Sequence, residues 1–256
     1  MRKKIGYSVR PAKFRFNPPG QVAVKSGSIV PPPITLGASF FITVAPAYCT
    51  SDSGHTTPCT DGSSIASWYE QISKTWVNWV NFGSTVKPIF HVSGSKYYAD
   101  FNPVNNATYQ FPNTWPQNDV TFVLRFTPQA NVGQVVCSGG DSGNTPYSFY
   151  RATTTGSVQR FNTGPSGALT NGSDTVMTYT ATGTSPTSTE KMRMNGGAWV
   201  TVSNARPSRT GTSKTLDVGF GSAGGNYFTN FKGMAIFPAV LTDAQALAVE
   251  NYFLSL

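Results

Sequence analysis

Charge is scarce in this chain. Lysine, arginine, aspartate and glutamate make up 12% of its 256 residues, and there are only three glutamates and two histidines. Charged residues are about half their usual share, which excludes a helical bundle or coiled coil built on long Ala, Glu, Lys and Leu runs. Long apolar runs are missing too. The longest, Ile34 to Tyr48, is interrupted by Gly37 and Pro46 and falls short of the roughly 20 residues a spanning helix needs, so no membrane partner is expected. The basic start runs into Gly6-Tyr7-Ser8-Val9-Arg10-Pro11 rather than an apolar stretch, and export through a signal peptide is not expected. Three cysteines, Cys49, Cys59 and Cys137, do not make a disulfide framework. Cys49 and Cys59 could be free thiols, could bridge to close the loop Thr50 to Pro58, or could join His55 on zinc, a set without a clear fourth ligand.

What the chain does have is glycine (25), proline (18), 39% hydrophobic and 13% aromatic residues. That is enough apolar surface to offset the entropy of ordering, distributed in a loop-rich chain of β type. The net charge of +8 is uneven. Residues 1–25 carry +7 and no acid, leaving +1 for the other 231. The stretch 1–36 also holds Pro11, Pro18, Pro19 and Pro31 to Pro33, and proline at this density favours extended, unpaired backbone. We read 1–36 as a basic, proline-rich N-terminal arm and linker, and 37–256 as one domain.

From Ala38 onward short apolar runs alternate with turn residues. Strands are expected at Ser39–Ala45, Ile65–Tyr69, Tyr97–Phe101, Val120–Thr127, Gly133–Ser138, Tyr147–Arg151, Thr175–Thr182, Lys191–Met194, Ala198–Val202, Thr215–Phe220 and Phe231–Phe237, a pattern of sandwich or barrel. His91 also falls in strand-like sequence. Asn195-Gly196 supplies the positive φ for a tight hairpin. One helix is expected, Asp243–Leu254, capped by Thr242 with Gln245 three residues on, its repeating face carrying Ala244, Leu247, Ala248 and Asn251.

The order of these pieces resembles the concanavalin A-like lectin and glucanase superfamily in its laminin-G-like jelly-roll branch. The residues that carry the resemblance are Ser64–Gln71 around Trp68, Lys87–Phe90, Tyr97–Asn102, Val120–Pro128 followed by Gly133–Gly139, the hairpin at Asn195-Gly196, and above all Phe231–Leu254 with its Leu-Thr-Asp-Ala cap. The resemblance implies an all-β concanavalin A-like jelly-roll β-sandwich with an extended N-terminal arm and a short C-terminal helix. Lectins, glycosidases, adhesion modules and phage virion proteins share that fold, so function has to come from sites.

Glycoside hydrolysis needs two carboxylates about 5 to 9.5 Å apart, and glucanases of this fold place theirs alternately on one strand. Glu70, Glu190 and Glu250 are isolated in this sequence, and no expected strand carries two carboxylates on one face. A Ser-His-Asp site has only His55 and His91 to draw on, and Gly139-Gly140-Asp141-Ser142-Gly143 reads as a turn. No catalytic residue is assigned. No cofactor is expected; calcium would have to use Asp52, Asp61, Asp141 and Asp174, no two of which are close in sequence, and which read as solvated turn residues.

Trp68 and Trp199 read as strand residues of the core. Trp76, Trp79 and Trp115, with Tyr147 and Tyr150, read as lying in or beside loops, where they could form a glycan platform, or serve packing or subunit contact. In the arm, Arg2, Lys3, Lys4, Arg10, Lys13 and Arg15 are interleaved with Tyr7, Phe14 and Phe16. They could neutralise nucleic-acid phosphates, lie along a neighbouring protein as an anchor, or have no partner. The expectation drawn from these features, and from the fold the resemblance implies, is a non-enzymatic bacteriophage virion protein: a capsid decoration, head-fibre or tail-associated protein, assembled in the host cytoplasm. Its arm would anchor it to other virion proteins, and its outward sandwich, in a homo-oligomer, could bind host-surface polysaccharide. The alternatives are a lectin-like carbohydrate-binding module and a jelly-roll capsid subunit whose arm binds nucleic acid.

Overall fold

The computed structural model describes residues 32–81, 87–101, 107–112, 119–128, 134–139, 149–151, 157–160, 164–183, 188–204, 215–218 and 229–256. The basic arm residues, Trp115, Tyr147 and Asp141 lie outside them. Two antiparallel sheets account for most of the described chain. The first runs, in spatial order, β15 (Val200–Asn204), β14 (Ser188–Met194), β13 (Thr175–Thr182), β8 (Val120–Thr127), β17 (Thr229–Phe237), β6 (Lys96–Asp100) and β5 (Ile89–Ser93), with β1 (Phe40–Thr43) also paired to β17. The second runs β12 (Ser166–Ala168), β11 (Ser157–Arg160), β10 (Phe149–Arg151), β9 (Gln134–Gly139), β16 (Thr215–Val218), β7 (Ala107–Pro112), β4 (Thr75–Asn81), β3 (Ser67–Glu70) and β2 (Cys49–Thr50). A four-residue helical turn, α1 (Pro32–Thr35), precedes β1, and α2 (Asp243–Ser255) follows β17. This is the all-β sandwich with a C-terminal helix that the sequence implied. Among the described residues no helix is long and apolar enough to cross a membrane.

The strand β8 shows how the layers form. All eight of its residues are buried because both of its faces are covered. Phe122, Leu124 and Phe126 point to the second sheet and join Phe40, Trp68 and Met234 in the sandwich core, whereas Val123 points the other way and packs with Phe41, Val249 and Phe253 beneath α2. Strand alternation sends successive side chains to opposite faces, so one apolar strand serves two cores. Each large apolar side chain buried in this way contributes about 1.5 to 3 kcal/mol.

Helix α2 is anchored by charge as well as apolar contact. The Arg125 side chain, fully buried on the helix side of β8, donates to the carbonyl of Phe253 and to Asp174. It thus reaches a last-turn carbonyl that also accepts from Leu256 N–H over 3.2 Å, at the helix end where a cation is favoured by the dipole. Lys232 Nζ donates to the same Asp174 over 2.7 Å. Burial pushes Asp174 up, but the bonds from Arg125 and Lys232 outweigh it and hold the carboxyl below its ordinary range. Lys232 is itself held below its ordinary range by burial, despite its bond to Asp174. A second clamp joins Glu250 on the helix to β14 and β13: Arg193 Nε donates to Glu250 Oε1 over 2.8 Å, and the Thr178 hydroxyl donates to the same oxygen. Gly233 lets the helix sit close, since a Cβ there would stand 2.7 Å from the Phe253 ring and 2.9 Å from the Ile42 carbonyl oxygen.

Four expectations are corrected. Pro32 and Pro33 begin a helical turn rather than extended chain, a place where proline's fixed φ and missing N–H cost nothing. The helix has the Thr242–Gln245 capping box, but its buried face is Ala246, Val249, Glu250 and Phe253, while Ala244, Leu247, Ala248 and Asn251 face solvent. The inward glutamate disguised that face as a polar one. Trp199 is neither in β15 nor in the core; it is half-buried, lies over the Arg193 guanidinium at 4.4 Å and donates from Nε1 to Asp243 over 3.0 Å. Asp174 is an ion-paired carboxylate and not a solvated turn residue.

Two measurements check the helix clamp. Glu250→Ala leaves Arg193 buried without its carboxylate, and urea unfolding should show a loss of about 3 to 5 kcal/mol. Gly233→Ala should lower stability by about 1 to 3 kcal/mol, because the added methyl must displace Phe253 or β1. As pH falls, the stabilisation from Asp174 is complete above the unfolded value of about 3.9 and is lost as pH drops through its lower folded value; an acid titration followed by circular dichroism should lose this contribution in Asp174→Asn.

Candidate functional site

At the β2 end of the second sheet, the hairpin of β3 and β4 pairs Tyr69 with Trp76 and Ser67 with Asn78 on one face, and Trp68 with Val77 on the other. Trp68 and Val77 belong to the sandwich core. The outward face therefore presents Tyr69, Trp76 and Asn78. Tyr48 stacks on Tyr69 with centroids 6.2 Å apart and planes 10° apart, Tyr69 meets Trp76 at 5.2 Å and 57°, and His55 lies flat on Trp76 at 4.9 Å and 8°. The result is a strip of four half-buried rings, Tyr48, Tyr69, Trp76 and His55, at the surface. Burial, and the neighbouring Tyr69, push the Tyr48 phenol above its usual range; burial, and then Glu70, do the same for Tyr69. Both phenols stay neutral hydrogen-bonding groups at physiological pH.

The far end of the strip is shaped by the loop 51–58. Asp52 folds it by accepting from the backbone N–H groups of Thr56 (3.2 Å) and Thr57 (2.6 Å). Those bonds, led by the one from Thr56, lower the Asp52 carboxyl to about 2. His55, at φ 61°, turns its ring back over Trp76, and its Nε2 lies 3.1 Å from Asn78 Oδ1. Ser67 Oγ donates to that same oxygen over 2.6 Å. Asn78 is exposed, and with its oxygen engaged, its amide nitrogen is the group it offers a ligand.

Trp76 and Trp79 both lie on strand β4, just after the turn 71–74, and being three residues apart they point to opposite faces. Trp79 packs against the core, with Lys87 Nζ 5.6 Å from its ring centre, and stays outside the strip. Tyr150 falls in β10, opposite Gln159 and Val135. The sequence reading found Trp76 but missed Tyr48, Tyr69 and His55. The sequence Thr75-Trp-Val-Asn-Trp-Val-Asn81 repeats every three residues, which hides the two-residue period of a strand; folding it back on Ser67–Glu70 across the turn 71–74 would have paired Trp76 with Tyr69.

None of the three glutamates faces this strip as a free acid. Glu70 is buried and accepts from the N–H groups of Phe41 (2.8 Å) and Ile72 (3.0 Å); Glu190 is buried and accepts from the Tyr179 hydroxyl over 2.9 Å; Glu250 holds the helix. Asp61 accepts from Val92 N–H over 2.9 Å and lies 3.4 Å from His91 Nδ1. Among the described residues no three His, Cys, Asp or Glu side chains gather as a metal site. A separate shallow groove of about 440 Å³ lies at the ends of β13 and β14, lined by Thr182, Gly183, Ser188, Thr189 and Ser203; none of these is aromatic.

No protein-family model matches the sequence, and no curated protein matches it. Solved structures do share its fold. Domain 4 of AbnA, an extracellular GH43 arabinanase from Geobacillus stearothermophilus solved in complex with arabinotriose, is 14% identical with a TM-score of 0.53, covering 84% of this chain and 98% of that domain. The binding domain of botulinum neurotoxin DC in complex with SialylT is 9% identical with a TM-score of 0.52, covering 84% of this chain and 52% of that one. A Trypanosoma rangeli sialidase in complex with the inhibitor DANA is 9% identical with a TM-score of 0.51 over 84% of this chain, which spans about a third (32%) of the sialidase's length. At these identities the likeness is one of fold.

Asp52→Ala should release the loop without unfolding the sandwich. The His55 ring protons should then lose the upfield ring-current shift that Trp76 imposes, as read by NMR. In the unsubstituted chain that shift should persist on acidification and vanish only as pH falls through about 2, the Asp52 value, since a lowered carboxyl keeps its contribution down to its folded pKa.

Proposed function

We propose that this chain is a non-enzymatic carbohydrate-binding β-sandwich module whose platform is the strip Tyr48, Tyr69, Trp76 and His55. The observation that carries the reading is the strip itself: four rings in continuous contact, Tyr48 stacked on Tyr69 and His55 on Trp76, over the outward face of the β3–β4 hairpin and fixed by strand pairing and the Asp52 loop. Aromatic faces carry partial negative charge and accept the C–H face of a sugar ring, while Asn78 and the neutral phenols supply hydrogen bonds to its hydroxyls. A site pre-formed this way pays little ordering cost on binding. Sandwich domains of similar fold have been solved with arabinotriose and with SialylT, which supports sugar binding as a use of this architecture. The engagement of all three glutamates in structural bonds favours binding over hydrolysis.

The test is a glycan array followed by calorimetry on the hits. Trp76→Ala should weaken binding at least tenfold, equivalent to about 1.4 kcal/mol, while Trp199→Ala, outside the strip, should bind like the unsubstituted protein. Wild-type affinity in Trp76→Ala would end this reading.

A second reading, an arm-anchored virion protein acting in the virion as a homo-oligomer, is favoured by the sequence's concentration of +7 in residues 1–25 against +1 for the remainder. Replacing Arg2, Lys3, Lys4, Arg10, Lys13 and Arg15 together by serine should abolish co-sedimentation with capsids lacking this protein. If the arm instead binds packaged genome, the unsubstituted chain should bind duplex DNA with an affinity that falls steeply with salt. Capsid binding that survives the six substitutions would remove the anchor role.

A further inference from the structure

Cys49 and Cys59 flank the loop that carries His55, and both thiols are buried and free. The chain on either side of them is a small antiparallel ladder. Thr50 and Pro58 form a bridge, Cys59 N–H donates to the Cys49 carbonyl over 3.0 Å, and Ser51 N–H donates to the Thr57 carbonyl over 2.9 Å. With Thr50 opposite Pro58, Cys49 stands directly opposite Cys59. Directly opposed residues in such a ladder have Cα separations of about 4.5 to 5.5 Å, inside the roughly 4.4 to 6.8 Å that a disulfide spans. Their side chains share a face, since both sulfurs belong to the same core cluster as Trp68 and Ile65.

We propose that Cys49 and Cys59 form a disulfide site, and that the bond closes residues 50–58 into a covalent loop which fixes the His55 end of the aromatic strip. Forming the bond needs a disulfide oxidant such as oxidised glutathione. One cysteine thiolate attacks a sulfur of the oxidant and expels one glutathione thiolate; the second cysteine then attacks the mixed disulfide and expels the other. The two cysteine thiols are oxidised to one S–S bond, and the oxidant is reduced to two thiols that carry away the two protons.

The fold also sets when this happens. Burial, with the nearby charge of Asp52 second, pushes the Cys59 thiol up to about 12, and burial raises Cys49 as well. The thiolate is the attacking form, so in the folded, reduced chain the pair is almost unreactive at neutral pH. Oxidation takes place while the loop is open, during folding, and the finished core then shields the bond from reductant.

The bond stands or falls independently of sugar binding; its effect on the platform rests on the carbohydrate reading. The full-length chain is refolded in a buffer of oxidised and reduced glutathione and, separately, in reductant; free thiols are alkylated after unfolding and mapped by peptide mass. The expected result is a linked peptide containing Cys49 and Cys59, a free Cys137, slower amide exchange across 50–58, and a Tm about 5 to 10 °C above that of the reduced chain. In Cys59→Ala the two refolded samples should melt alike. Alkylation of both Cys49 and Cys59 after oxidative refolding, pairing of either with Cys137, or a lower Tm in the linked form would each overturn the proposal. On the array's hits, the reduced chain should bind more weakly than the oxidised one, and equal affinity would refute the coupling to the platform. An absence of any glycan hit with the linked peptide present refutes the carbohydrate reading and leaves the bond established.

Discussion

The covering of the first sheet by α2 depends on how one buried guanidinium is satisfied. Arg125 sits mid-sheet on a fully buried strand that holds no other charge, and an unpaired charge in that position would cost several kcal/mol. It is satisfied from two directions, by Asp174 in the turn before β13 and by the last turn of α2. Removing the helix would strip it of one partner and bare the apolar residues around it. Because the Arg193–Glu250 pair and the Gly233–Phe253 contact act on the same helix, α2 is a structural third layer and not an appendage.

The same arrangement separates the surfaces that hold the fold together from the surface proposed for sugar binding. The first sheet has both faces covered, one by the second sheet and one by α2, and so has no broad open surface among its central strands. The β2–β3–β4 end of the second sheet is different: its inner face holds Trp68 in the core with Nε1 donating to the Thr43 carbonyl over 2.9 Å, while its outer face is left to Tyr69, Trp76 and Asn78. A ligand that packs on the outer rings meets a surface whose backbone is already fixed from inside. One face of the hairpin packs in the core and the other carries the proposed platform, which is why exchanging Trp76 for its neighbour Val77 would not be a local change.

Much of the fold was legible. Val120–Thr127 and Thr175–Thr182 emerged with the bounds read from the sequence, because strands buried on both faces are continuous β-branched and aromatic runs that no helix period can explain. The capping box was equally plain. Reading failed where a long-range partner changed the meaning of a residue. Glu250 counts as solvent-facing until Arg193, 57 positions away, is known to meet it, and that single misreading rotated the helix to the wrong face. Trp199 counts as core until Arg193 and Asp243 claim it. The aromatic strip was half legible: Trp76 stood out, but the rings that complete it are brought by strand register and by a loop whose course depends on a positive φ at His55, neither of which leaves a periodic trace.

The pairing of β1 with β17 has a consequence for how the molecule is made. Phe40 lies opposite Ile236, so the first strand of the domain waits for the last, and α2 is synthesised later still. On the ribosome, β8 emerges more than a hundred residues ahead of β17, one of its two flanking strands, and of the helix that will cover it. Contacts so distant in sequence make folding slow, and in the interval an apolar strand with an arginine at its centre must remain in contact with water. That arginine, awkward in the finished core, is then an advantage: it is the one charge on the nascent strand, and it discourages the strand from pairing with a neighbouring chain before its own partners arrive.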